Sequence, residues 1–318
     1  MAQKQVFRTI DLFAGGGGLA EGFATCGLND IQFEISLSVE KDPSAFKTLR
    51  LRSFFRALDT EGTKEYLRFA NDELSLEELV SRYPEAWEKA NSEALMIELG
   101  KPDHDRQLAG RLDSLTKDGN DNFVVIGGPP CQAYSLAGRS RNAGKANYVA
   151  DQDHRHFLFE EYIGVIQKLN PLAFVMENVK GILSSSLASG KIFELIKRDL
   201  VNAAGPDSYQ LFSLSPSPAD AGFVIRSEEH GLPQARHRVI LLGLRSDIAD
   251  VFTQTKVNLP VTDEVITVDE AINDLPSLRS GLSRDEDSNE RWREIVAEAF
   301  SVAASSAPDG STLRDLLE

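Results

Sequence analysis

The chain has 318 residues, 42% of them hydrophobic, and a formal net charge of -15. That apolar content can bury a sizeable core, and no run approaches the roughly eighteen apolar residues of a membrane span. Charge alone predicts no nucleic-acid binding, because phosphate contacts need Lys and Arg. Net charge averages over faces, however, and a basic face on an acidic body is not excluded.

The two cysteines, Cys26 and Cys131, argue against a disulfide scaffold and for a reducing compartment. No cysteine pair stands at metal-ligand spacing, so no metal site is expected, His154 and His156 notwithstanding. The amino-terminal run MAQKQVFRTIDLF lacks the basic region and apolar stretch of a secretory signal.

Short β-branched runs alternate with longer helical ones, which predicts an α/β fold with a mainly parallel sheet flanked by helices. Residues 6–14 read as a first buried strand. The glycine run 15–18 turns the chain into a helix over 19–26, where Cys26 reads as a small core residue. Residues 33–40 read as a second strand and 43–56 as a helix. Residues 57–105 read as an acidic helical insertion with few strand signals; 57–100 holds eleven acidic and four basic side chains. Leu76, Leu79 and Val80 suit an amphipathic helix there, and Pro84 ends one. A strand follows over 123–128, then a helix over 156–169, a strand over 172–176 and a helix over 191–202. Residues 209–215 and 237–244 are later strands. The chain turns polar and helical from 261, with a loop over 303–311. The expected division is a main domain over 1–260, carrying the insertion, and an extension over 261–318.

Three strings carry chemistry. In DLFAGGGGLAEGF, glycines between strand and helix let the backbone turn tightly and approach a ligand. Glu40, at the end of the next strand, stands where a carboxylate accepts hydrogen bonds from ribose hydroxyls. Gly15, Gly17 and Ala20 also fit the dinucleotide fingerprint, so a nicotinamide dehydrogenase stays open at this point.

In GGPPCQAYS, residues 127–135, Cys131 follows two prolines on a strand-exit loop, so its backbone has few states. Free cysteine, with a pKa of about 8.5, is mostly thiol at neutral pH. Arg139 and Arg141 in the basic run 138–145 would favour the thiolate if they fold over it. In MENVKG, residues 176–181, Glu177 and Asn178 stand at a strand end, where a carboxyl can share a proton with a substrate ring nitrogen. Further on, HGLPQARHRVILLG places Arg236 and Arg238 on one face of a strand entry, offering planar donor forks.

Taken together and in this order, DLFAGGGGLAEGF, GGPPCQAYS, MENV and QARHR resemble the cytosine-5 DNA methyltransferase family, over roughly 6–245 with 57–120 poorly matched. The resemblance implies a Rossmann-like methyltransferase fold with S-adenosylmethionine as methyl donor. It implies that Phe13, Gly15, Gly16 and Gly18 line the cofactor, that Glu40 holds its ribose, and that Pro130 and Leu158 contact it. It implies Cys131 as nucleophile on a flipped cytosine, with Glu177, Arg236 and Arg238 around the base. Arg139, Arg141 and Lys145 are then candidates for phosphate contacts with double-stranded DNA. The family also places an acidic residue after the third strand for the adenine amino group; the insertion leaves it unassigned here. Family members carry a target-recognition region that this chain lacks, so a second subunit or missing C-terminal region is expected, with weak or absent activity in isolation. The expected setting is the bacterial cytoplasm, associated with the nucleoid, in a restriction-modification system. An RNA cytosine-5 methyltransferase and a non-enzymatic regulatory subunit are the alternatives.

Overall fold

The computed structural model describes residues 4–27, 30–117, 119–130, 158–187, 190–215, 222–253, 258–275, 279–282 and 286–306. Cys131, Arg139, Arg141 and Lys145 lie outside them. By contacts the chain divides into a unit over 1–266 and a smaller one over 267–318.

The larger unit is built on one sheet. Strand β1 (Gln5–Leu12) leads through the glycine turn into helix α1 (Gly18–Ala24); β2 (Ile31–Glu40) leads into α2 (Pro43–Ala57). Helices α3 (Thr60–Ala70), α4 (Leu76–Arg82) and α5 (Pro84–Glu93) follow. Strand β3 (Ala94–Met96), α6 (Pro102–Leu115), β4 (Phe123–Gly127), α7 (Leu158–Leu169) and β5 (Ala173–Val179) continue the chain. A short hairpin, β6 (Ser186–Leu187) and β7 (Gly190–Lys191), precedes α8 (Ile192–Val201), β8 (Tyr209–Phe212), β9 (Val224–Arg226), β10 (His237–Arg245) and α9 (Ser246–Thr253).

The sheet order is β3-β2-β1-β4-β5-β10-β8, with β9 also paired to β10. The first five strands are parallel, and β10 runs antiparallel to β5, β8 and β9. Chain order reverses between β1 and β4, which opens a crevice at their carboxyl ends; ligands of open α/β sheets bind at such a point.

Alternation along the strands decides what faces the core. Ile10, Leu12, Leu37, Val39, Phe123, Val125, Phe174 and Met176 are buried in one cluster on one face of the sheet. Tyr162 of α7 is completely buried there, its hydroxyl 3.2 Å from the carbonyl of Val125 and 3.1 Å from that of Val175. It thereby links β4 to β5. Val124, Ile126 and Ile35 face the other way, beneath Ala20 of α1.

The insertion, read as helical with few strand signals, contains a strand as well. It contains α3, α4 and α5 around a satellite core of Phe54, Leu74, Leu79 and Ala90, but it also supplies β3, which extends the sheet. Three residues are too short a run to register as an alternating pattern. Strand β5 also continues through Glu177 and Asn178 to Val179, because it pairs with β10 along that length. Cys26 is exposed, two residues past the end of α1, rather than a core residue inside it.

In the smaller unit, α10 (Val268–Ile272) starts on a capping box made by Thr267 and Glu270. Helix α11 (Asn289–Ser306) runs into the stretch expected to be a loop from 303.

Candidate active site

The glycine turn is shaped by backbone that few side chains tolerate. Phe13, Gly15 and Gly17 have φ of 59°, 57° and 81°. A Cβ on Gly17 would also sit 2.9 Å from Leu49 Cδ1 of α2, so glycine there serves close packing as well as conformation. The amide of Gly15 donates to Glu40 Oε2 at 2.7 Å. The other Glu40 oxygen accepts from the amides of Lys41 at 2.9 Å and Asp42 at 2.7 Å. Asp42 in turn caps α2 by accepting from Ser44 and Ala45. Three backbone donors therefore fix the Glu40 carboxylate between the glycine turn and the α2 cap.

That carboxylate lines a cavity of about 380 Å³ at the sheet's point of reversal. Phe13, Glu40, Pro130 and Leu158 all border it, so four of the predicted cofactor residues meet in one place. Gly15 reaches it through its bond to Glu40. Gly16 and Gly18 shape the turn and the start of α1 and do not line the cavity. Ile97, Glu98 and Leu99, which follow β3, form another wall. Glu98 is an acidic residue of this wall and lies just past the strand that the insertion contributes. Hydrogen bonding to Lys101, with Lys41 at 3.4 Å also contributing, holds its carboxyl below the usual range. An aromatic ring, apolar walls and two carboxylates in separate places suit a nucleoside with ribose hydroxyls and an exocyclic amine.

A second cluster adjoins the first. Glu177 Oε1 receives Arg238 Nε at 2.7 Å, with the two side chains about one-third and one-quarter exposed. The pair forms because β5 and β10 are antiparallel neighbours, with Glu177 opposite Ile240 and Arg238 opposite Val179. Arg236 precedes β10 and is exposed; its backbone carbonyl accepts from Ser227, and its side chain is not brought to Glu177. Gly128 lies directly against Glu177, since a Cβ there would be 2.9 Å from Glu177 Oε2. Buried Asn178 donates from Nδ2 to the carbonyl of Pro129 at 3.0 Å. This bond fastens the root of the Cys131 loop to β5. It joins residues 49 apart in sequence, and no local pattern announces it.

Asp11 is an unpredicted member of the region. It is buried in β1 opposite Ser38, and Asp11 Oδ2, Ser38 Oγ and Thr9 Oγ1 all lack a hydrogen-bond partner among the described residues. Its carboxyl is pushed up from 3.8 to about 8 by burial, then by Glu40 and Glu93, against the opposing pull of Arg56. The unfolded chain ionises this group near pH 3.8, whereas the folded chain keeps the proton to about 8. Stability from Asp11 is thus complete below the lower value and declines as pH rises toward the upper one. Each pH unit inside that window is worth about 1.4 kcal/mol. Asp11→Asn is expected to flatten the decline between pH 5 and 8 in urea-unfolding experiments; equal slopes for both proteins would refute the assignment.

The sheet and its flanking helices have a counterpart among solved structures. A solved structure described as a DNA modification methyltransferase encoded within an E. coli prophage superposes with a TM-score of 0.50 at 20% identity, covering 88% of this chain and 58% of that one. The chain belongs to the C-5 cytosine-specific DNA methylase family, whose model matches residues 7–65 and 110–303. The methyl donor of that family is S-adenosylmethionine. The Type II methyltransferase M.Bpa9945I of Bacillus paralicheniformis is 34% identical over 85% of this chain and 61% of its own length. M.BspRI of Lysinibacillus sphaericus is 28% identical over 94% of this chain and 61% of its own. The chain thus spans about three-fifths of these relatives.

Proposed function

We propose that this chain transfers a methyl group from S-adenosylmethionine to carbon 5 of cytosine in double-stranded DNA, through a covalent adduct at Cys131. The observation that carries the reading is the position of the segment Gly128–Pro130. It borders the cavity, touches Glu177, and runs straight into the cysteine.

S-adenosylmethionine, when bound, supplies an electrophilic methyl group. Phe13 offers a ring face to its adenine, Glu98 a carboxylate to the exocyclic amine, and Glu40 a carboxylate to the ribose hydroxyls. Cytosine carbon 5 is too poor a nucleophile to react unaided. Attack of the Cys131 thiolate on carbon 6 forms an S–C bond and leaves carbon 5 electron-rich. Glu177 hydrogen-bonds the ring nitrogen and amine as charge develops there, and Arg238 orients Glu177 while presenting donors to the base oxygen. Carbon 5 then takes the methyl group, the donor leaving as its neutral thioether, and loss of the carbon-5 proton expels the thiolate and restores the double bond between carbons 5 and 6. The base is reached by flipping it out of the duplex, at a cost of a few kcal/mol.

Arg139, Arg141 and Lys145 are assigned to DNA phosphates. DNA is chosen over RNA as substrate because the relatives carry Type II methyltransferase names, and those names also support a restriction-modification setting in the bacterial cytoplasm. Target reading is assigned to a further segment or second subunit, consistent with the greater length of those relatives.

Covalent trapping on duplex DNA containing 5-fluorocytosine tests the proposal. With cofactor present, the chain, alone or with the products of neighbouring genes, is expected to form a denaturation-resistant adduct that Cys131→Ser abolishes. Equal adduct yield from Cys131→Ser would overturn the mechanism, and trapping on transfer RNA alone would move the substrate to RNA.

A further inference from the structure

Arg56, in the last turn of α2, holds two carboxylates at once. Its Nη1 lies 2.7 Å from Glu21 Oε2, and its Nη2 lies 2.5 Å from Glu93 Oε1. The three side chains are largely enclosed, Glu93 most of all at 7% exposure. Neither carboxylate lines the cavity, but each is tied to a segment that leads to it. Glu21 sits in the first turn of α1, and its amide donates to the carbonyl of Gly17 in the glycine turn. Glu93 is the residue immediately before β3, the strand that delivers Ile97, Glu98 and Leu99 to the cavity. Ser53, one helical turn before Arg56, donates to the second Glu93 oxygen at 2.6 Å.

The need for such a fixture follows from the topology. Strand β3 has three residues and lies at the sheet edge, paired on one side only, to β2. A run that short has few ladder bonds to set its position. The other arm ends beside a turn rich in glycine, which has little stiffness of its own and holds Glu40 through the amide of Gly15. A guanidinium is planar with its donors at fixed angles, so bridging Glu21 and Glu93 sets the distance between α1 and the start of β3; an ammonium cannot reproduce that geometry. The surroundings also amplify the effect, because the enclosed Arg56 opposes the rise that burial imposes on both Glu93 and Asp11. Glu93 lies between residues 65 and 110, in the stretch that the family model does not match.

We propose that Arg56 is a positioning residue for the methyl donor, a two-armed brace between α1 and β3 that sets the width of the cofactor cavity. The inference rests on the reading of that cavity as the donor site, and its test separates the two. Calorimetric titration of the chain with S-adenosylmethionine comes first, because failure of the unaltered protein to bind would sink the site itself. Given binding, Arg56→Met is expected to weaken affinity about tenfold, within the usual range of coupling between sites. In an active assembly it should raise the cofactor KM by a similar factor and leave kcat within about twofold.

Arg56→Lys should recover only part of the loss. Adding Glu93→Gln to Arg56→Met should cost little more, since both changes cut the same arm. Glu93→Gln alone retains shape and serves if Arg56→Met does not fold. A folded Arg56→Met or Glu93→Gln variant with native cofactor affinity, whatever its melting temperature, would overturn the proposal.

Discussion

Glu177→Gln is expected to slow both methyl transfer and adduct formation by about 10²–10³-fold, the usual loss when one group that stabilises developing charge is removed. The amide keeps the size of the side chain but cannot hold a proton for the ring nitrogen while the thiolate adds at carbon 6. Folding should be little affected. Glu177 and Arg238 are both partly exposed, and an ion pair in such a setting contributes at most about 1 kcal/mol. The discriminating measurement is the rate of trapping on 5-fluorocytosine DNA beside the melting temperature of the same preparation. A native trapping rate would remove Glu177 from the chemistry. A collapse in melting temperature would make its role structural.

Gly243→Ala is expected to destabilise the larger unit by about 3 kcal/mol, at the upper end of overpacking costs. A Cβ there would lie 2.1 Å from Phe174 Cζ, directly across the β5–β10 pair. The ring cannot retreat, because Phe174 is fully buried and packs edge-on against Tyr162 and Tyr209, with centroids 6.3 Å and 5.2 Å away. The melting temperature should fall by on the order of 5–10 °C. Phe174→Leu, damaging by itself, should partly rescue Gly243→Ala, which is the non-additivity expected of two groups competing for one space. Independent, additive losses would show that the backbone yields instead of the ring.

What could be read from the sequence was whatever is local. The glycine turn, Glu40 at the end of its strand and the Gly-Gly-Pro-Pro approach to Cys131 are each written in a few consecutive residues. So are the short apolar, β-branched runs of β1, β2 and β4. What escaped depends on distant pairing. Glu98 matters because β3 joins the sheet, and three residues inside an acidic helical stretch show no period. Arg236 and Arg238 look equivalent as text, yet only Arg238 lies within β10 and reaches Glu177. The bond from Asn178 to Pro129 and the double grip of Arg56 involve partners tens of residues away. Cys26 reads as a core residue because its neighbours in sequence are apolar, yet α1 ends just before it and leaves it exposed.

The reversed strand also constrains synthesis. Strand β5 can dock beside β4 soon after both leave the ribosome, but its other edge pairs with β10, which is made only after everything between Val179 and His237. At ordinary elongation speeds of about 5–20 residues per second, that wait lasts roughly 3–12 s. During it a strand carrying Phe174 and Met176 presents unpaired amides and carbonyls, the template on which nascent chains aggregate. The fold of this protein therefore asks its host for protection at one defined stage of translation.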